Sequence, residues 1–388
     1  MTENIVSALK NRELNIGFNQ ENFVNINYFN ESMIKRMRIE HKISHELEAG
    51  DTHIQCGSWN SNGFLLGFGK YEKGVQICKP FLNFEMSVIP VQDNHYLTYT
   101  IFMQQHENFL AVCSRNRNSF IWSSLDGLEV DDYVKIWDVE AKSVVRSYSF
   151  KGLVKKVATS KALPNHVWFN VDQKTQKIAE ADIRSPSYKS MQLNEFEGNT
   201  TFLHSRHFTV NPVDEVTIVV SDNSKILFYD RRMMTSSNIN HPTKTVDTTS
   251  LNGERSYIVQ LKYNPSGSKL FITKSYRFTT YNYVAPLVDM SIKNIQKFKF
   301  CEQKLLETVI GNPSFLGENH VLFDTFSRNK VSIVYNLEHM RYVGKISLLG
   351  QTNYFSKIYS MPHPFCCLIA SANQDMINFI TPSSSYYN

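Results

Sequence analysis

The sequence contains no unbroken apolar run near the roughly 18 residues of a membrane span, so neither a transmembrane helix nor a membrane partner is expected. Met1 to Lys10 lacks the charged-then-apolar design of a secretory signal, which places the chain inside the cell. Asn30-Glu31-Ser32 and Asn199-Thr200-Thr201 therefore carry no weight as glycosylation sites. The six cysteines, Cys56, Cys78, Cys113, Cys301, Cys366 and Cys367, form no Cys-x-x-Cys pair. They read as small buried hydrophobes in a reducing compartment. Charge of one sign is also scarce: 41 basic against 36 acidic residues leave a net +5, too mild by itself to argue for binding to a phosphate backbone.

Catalytic and cofactor signatures are equally thin. Gly67-x-Gly69 with Gly74 falls inside a strand pair rather than at a strand-to-helix turn, and no Walker lysine or Gly-x-Ser-x-Gly elbow exists. His41 and His45 lack the glutamate of an HExxH site, His204 and His207 lack a third ligand, and His363 with Cys366 and Cys367 reads as a turn entering a buried strand. No catalytic, metal or cofactor residue is assigned, and an enzyme is not expected.

What is present is strand material. Hydrophobic residues make up 42% and aromatic residues 13% of the chain, enough for a large core. Short β-branched and aromatic runs dominate from about residue 43 onward, among them Val134–Trp137, Val216–Val220, Lys225–Tyr229, Leu270–Thr273 and Val331–Tyr335. No helical pattern alternates with them, which argues against a parallel α/β sheet. The runs recur as sets: a polar turn, an apolar strand, a short turn, then a strand closing on an aromatic or small residue and often an acid. Asn60–Gly63, Asn211–Asp214, Asn264–Gly267 and Pro362–Pro364 open four such sets. Their spacing, about 40 to 50 residues, is that of a four-stranded propeller blade.

The strands ending at Cys78, Asp138, Asp182, Asp230, Tyr281, Asn336 and Phe379 count seven blades. The expected fold is all-β, a seven-bladed β-propeller over residues 43–388, with the strand around Ile43 to Glu48 supplying the last blade's outer strand. Residues 1–42 are read as an extension. In it, Ser32 caps a basic amphipathic helix through Met33, Ile34, Met37 and Ile39, with Lys35, Arg36 and Arg38 interleaved. That helix either packs on the rim or serves as a docking helix or import signal. Residues 284–305 are expected to be an inter-blade loop, and Arg115 to Asp131 a polar insertion in blade two.

Val134-Lys135-Ile136-Trp137-Asp138 resembles the WD-repeat signature. A longer likeness runs through Val154–Thr159, Pro164–Trp168, Ala181–Arg184, Phe208–Pro212 and Tyr229–Met233, with flanking matches at Ser32–Met37, Gly57–Asn60 and Met361–Pro364. This order resembles the WD and tetratricopeptide repeats protein family, substrate receptors of cullin-RING ubiquitin ligases. The chain departs from it in having no room for a tetratricopeptide module between blades five and six. A compact chain of this kind is similar to the nematode WD-repeat protein that binds an RNA-editing adenosine deaminase.

The resemblance implies a non-catalytic scaffold that binds a client protein, with a nuclear and in part cytoplasmic location. In the ligase family an acid followed two residues later by arginine docks the propeller on the adaptor. Asp182 with Arg184 and Asp230 with Arg232 occupy matching positions, although Ala181 replaces the usual aromatic. Those four residues, with Met33, Ile34, Arg36 and Met37 of the helix, are the candidate partner-binding residues. Two partners follow from the resemblance, an RNA-editing adenosine deaminase as client or a cullin-RING ligase adaptor on which the propeller would dock. Direct RNA binding through Lys151, Lys155, Lys156 and Lys161 beside Trp168 and Phe169 is the disfavoured third reading.

Overall fold

The computed structural model describes Lys35 and residues 37–44, 54–70, 74–82, 85–90, 95–116, 131–151, 153–172, 177–193, 207–251, 256–276, 279–286, 292–297, 313–324, 331–347, 359–364, 368–372 and 376–382. Each blade is an antiparallel meander. Blade one runs through Ile54–Trp59, Leu66–Lys70, Gly74–Lys79 and Glu85–Ile89. Blade two comprises His95–Phe102, Phe109–Asn116, Asp131–Asp138 and Ser143–Lys151. Blade three comprises Leu153–Thr159, His166–Asp172, Lys177–Asp182 and Tyr188–Gln192, and blade four Phe208–Val210, Thr217–Asp222, Lys225–Asp230 and Lys244–Asp247. Blade five comprises Tyr257–Tyr263, Lys269–Tyr276, Thr279–Pro286 and Gln296–Lys297. Blade six comprises Ser314–Leu316, His320–Asp324, Val331–Asn336 and Arg341–Ser347. Blade seven takes Tyr359–Pro362, Ile369–Ala372 and Met376–Pro382 from the end of the chain and Met37–Ser44 from its beginning.

That last pairing closes the ring, as expected, but with a different strand. Met37–Ser44, not Ile43 to Glu48, lies antiparallel to Met376–Pro382, with Met37 opposite Pro382 and Ser44 opposite Met376. The helix expected through Met37 and Ile39 is therefore corrected to strand, and the propeller begins at Met37 rather than at residue 43. In the sequence Met-Arg-Ile-Glu-His-Lys-Ile-Ser the apolar residues Met37, Ile39 and Ile43 fall at even spacings, which fits a pleated edge strand. Met37 itself is buried among Leu316, Val334, Val343 and Ile380 at the junction of blades six and seven. Met33, Ile34 and Arg36 lie outside the described residues.

The interval 284–305 is also corrected. Pro286 still belongs to the third strand of blade five, and Gln296–Lys297 pairs with Tyr283 and Val284 as its short outer strand. Only two residues pair there, so the segment carries too few β-formers to register as a strand by composition.

The core is not central. Seven hydrophobic layers lie one at each junction between neighbouring blades, because every sheet is apolar on both faces and buries each against the next. Trp168, Phe169, Phe208, Phe271 and Tyr229 are among the largest fully enclosed side chains. The described cysteines Cys56, Cys78 and Cys113 belong to these layers, and burial pushes the thiols of Cys56 and Cys78 up to about 12. They are packing residues, as the sequence suggested.

Side chains stitch the ring from blade to blade. Between blades seven and one, the Trp59 indole donates to the Met361 carbonyl at 2.8 Å, and His363 Nε2 meets the Gly63 carbonyl at 3.0 Å. Asn60 Nδ2 donates to Glu107 O at 2.8 Å, and Gln105 Nε2 to Lys161 O at 2.7 Å. Ser160 Oγ donates to Asn211 O, and Asn264 Nδ2 to Glu318 Oε2, both at 2.8 Å. The polar turn that opens each sequence set is thus also the clasp on its neighbour.

Candidate interaction surface on blades three and four

Third strands end, and fourth strands begin, on the same face of the disc as these clasped turns. The acid or amide closing the third strand has a local job there. Asp138 Oδ1 accepts from the backbone of Glu140 and Ala141, and Asn336 Oδ1 from that of Glu338 and His339. Asp182 and Asp230 accept in the same way from the backbone N–H of Arg184 at 3.0 Å and of Arg232 at 2.9 Å. Such a turn satisfies N–H groups that leave the ladder, which explains why an acid recurs at blade ends.

Blades three and four add an arginine two residues on, and in both it folds back. Arg184 reaches Asp182 through Nε at 2.9 Å and Nη2 at 2.6 Å. Arg232 reaches Asp230 through Nε at 3.1 Å and Nη2 at 2.7 Å. The two forks share one geometry. The Arg184 bond holds the Asp182 carboxyl down at about 2, and the Arg232 bond lowers that of Asp230. Both arginine side chains are nonetheless more than two-thirds exposed, at 68% and 69%. Each aspartate uses one edge of the guanidinium, leaving the Nη1 edge turned outward with its donors available to a carboxylate or carbonyl of a partner.

A buried network underpins the pair. Glu180 Oε1 accepts from Arg231 Nη2 at 2.5 Å and contacts His166 Nδ1 at 2.7 Å, while His166 Nε2 lies 3.9 Å from Asp182. Burial alone would raise the Glu180 carboxyl, but the bonds from His166 and Arg231 outweigh it and the net shift is downward. The link crosses the blade junction, since Arg231 belongs to blade four and Glu180 to blade three. From the other side, Arg146 of blade two donates to the carbonyls of Ile183 and Arg184, and Tyr148 to those of Asp182 and Ser185. The box on blade three is therefore held from both neighbouring blades, and a rigid mount of this kind spares a partner the entropy of ordering it. Around the arginines Met233 is 72% and Val213 59% exposed. Along the outer strand of blade three a cavity of about 410 Å³ is lined by Lys177, Tyr188, Lys189, Ser190, Gln192 and Ser236.

Four of the eight residues expected to bind a partner thus share one face. Met37 does not, being buried in the ring closure. Among the described side chains of the disfavoured RNA-binding reading, no exposed aromatic ring accompanies the lysines. Lys156 turns into the centre of the disc, where it donates to the Phe208 carbonyl at 2.9 Å, whereas Lys161 is exposed in a turn. Trp168 and Phe169 are 1% and 0% exposed and offer no ring to a base. Glu180, His166, Arg146 and Tyr148 were not picked out from the sequence. Glu180 left a trace there, as a lone acid within the apolar run Ile178–Ala181.

No protein-family model matches the sequence, and no curated protein matches it. Solved structures do. The β-propeller domain of Cps50 (Swd1) from Myceliophteria thermophila superposes with a TM-score of 0.62 at 14% identity, covering 89% of this chain and 100% of that one. A chain of the mitotic checkpoint complex superposes with a TM-score of 0.59 at 11% identity, covering 89% and 96% respectively. The fold is a seven-bladed propeller of the WD type. Folds of that type commonly serve as protein-interaction scaffolds, and the likeness at these identities speaks to the fold alone.

Proposed function

We propose that the protein is a non-enzymatic scaffold that holds a client protein on the face carrying Arg184 and Arg232. The observation that carries this reading is the pair of matched, braced and exposed Asp–Arg forks on adjacent blades. Arginines fixed by one edge and open at the other suit an interface with backbone carbonyls or carboxylates, and the exposed Met233 and Val213 supply apolar area beside them. The sequence resemblance supports a double-stranded-RNA adenosine deaminase as the client, with delivery to the nucleus as the outcome of binding.

A second reading, favoured by the fork geometry itself, is that the same arginines dock the propeller on a cullin-RING ligase adaptor and the client is a degradation substrate. Affinity purification of the tagged protein from its native cells, in about 0.3 M salt to screen weak ionic contacts, separates them. An RNA-editing deaminase recovered without ligase subunits supports the first reading, and a stoichiometric adaptor supports the second. Either partner should be lost from the Arg184→Ala, Arg232→Ala double variant. Undiminished recovery of the same partner would remove these residues from the interface.

A further inference from the structure

The first strands of the blades meet around the central axis, and their composition is one-sided. Ile54–Trp59, His95–Phe102, Leu153–Thr159, Phe208–Val210, Tyr257–Tyr263, Ser314–Leu316 and Tyr359–Pro362 contain no aspartate and no glutamate, yet include Lys155, Lys156 and Lys262. These strands themselves therefore supply no carboxylate to their lysines.

Two of these lysines enter the channel. Lys156 belongs to blade three, but its Nζ donates to the Phe208 carbonyl of blade four at 2.9 Å and lies 3.5 Å from the Leu261 carbonyl of blade five. A side chain that touches the inner strands of the next two blades lies on the inner side of the ring, where those strands come together. Lys262, the residue after Leu261, donates to the Pro313 carbonyl at the entry to blade six at 3.1 Å. Both side chains keep partial exposure, so neither is sealed in the packed layers. Among the described residues neither lysine has a carboxylate at ion-pair distance: Lys156 is held by the two carbonyls and lies 5.9 Å from the centre of the Phe208 ring, and Lys262 is held by one carbonyl. Asp324 of blade six attracts Lys262, but its carboxylate is already filled by Ser332 Oγ at 2.6 Å and by Ser360 N and Oγ at 3.0 and 2.6 Å. Burial, and for Lys156 also the charge of Lys262, pushes each ammonium down to about 8, the direction expected of cations short of an anion.

We propose that the central channel binds a small phosphate-type oxyanion between Lys156 and Lys262. Each ammonium has three N–H donors, and the carbonyls take two from Lys156 and one from Lys262, which leaves three for oxygens of the anion. Lysine suits this task as a compact point charge, and an anion between two mutually repelling cations relieves both the repulsion and the cost of their burial. The site is independent of the Arg184 and Arg232 face and stands or falls separately from it.

The test uses pyrophosphate, with inorganic phosphate and sulfate as smaller probes, on the full-length protein at constant ionic strength set with chloride. Calorimetric titration should give a saturable 1:1 isotherm for the wild type and for Lys161→Gln, an exposed control on the same blade. The Lys156→Gln, Lys262→Gln double variant, which keeps donors for the carbonyls, should bind more than about tenfold more weakly. Equal affinity in the double variant, or no binding by the wild type below about 1 mM, overturns the proposal. Should the double variant fail to fold, NMR of Cε-labelled lysines in the wild type decides. Pyrophosphate must shift the Lys156 and Lys262 signals and raise their titration midpoints from about 8. Unmoved midpoints refute the site.

Discussion

Replacing Lys156 by methionine tests the electrostatics of the channel without reference to any ligand. In the folded protein the Lys156 ammonium is pushed down to about 8 by burial and by Lys262, from an ordinary value of 10.5. A folded-state pKa below the unfolded one means that the unfolded chain holds its proton more tightly. The contribution of this group to stability is therefore fully present above about pH 10.5, and it is lost as pH falls through about 8. Each tenfold difference in proton affinity between the two states is worth about 1.4 kcal/mol. Integrated from about pH 7 to about pH 10, the wild type should gain about 2.5 kcal/mol relative to Lys156→Met.

The assay is urea unfolding of both proteins at successive pH values, comparing differences so that other titrations cancel. The gap should change sigmoidally, with most of its rise above about pH 8. In a Lys262→Met background the rise should shrink, because removing the neighbouring charge restores part of the Lys156 pKa. A gap constant to within about 0.5 kcal/mol across the range would show that Lys156 is not an enclosed cation, and the channel site would lose its foundation.

Met37→Ala should cost about 2 to 4 kcal/mol in chemical denaturation, since Met37 is 1% exposed within the layer between blades six and seven; a docking-helix residue on the surface would cost almost nothing. Trp59→Phe should cost about 1 to 2 kcal/mol by orphaning the Met361 carbonyl at the ring closure, read as a lowered midpoint with an unchanged urea slope. Gly63→Ala should be destabilising by about 2 kcal/mol, because its φ is +78° and an added Cβ would lie 2.2 Å from His363 Nε2. The Arg184→Ala, Arg232→Ala variant should leave the thermal midpoint unchanged while abolishing partner capture, because both side chains are exposed and neither supports a core layer. A fallen midpoint would reassign the forks to structure.

Much of the architecture was legible in the residues because a propeller repeats one local solution. An Asn or Pro-containing turn clasps the next blade, an apolar strand is buried on both faces, and an acid such as Asp182 or Asp230 catches the N–H groups that leave the ladder. Each of these signals is local, so seven copies could be counted along the chain. The acid-x-arginine pairs were legible for the same reason, being three consecutive residues at a blade end. What misled was also local. Met33 to Ile39 has apolar residues at helical spacing, and only the otherwise open edge of Met376–Pro382, more than 300 residues away, makes Met37–Ser44 a strand.

The sequence by itself determined the number of blades, the meander within each and the positions of the two arginine boxes, because periodicity and turn chemistry act over a few residues. Only the tertiary structure decided which strand closes the ring, that Glu180 and Arg231 join two blades beneath those boxes, and that Lys156 of blade three reaches the Phe208 and Leu261 carbonyls of blades four and five. Those facts depend on charges and edges brought together by the circular closure, and no residue carries information about a partner it meets only there.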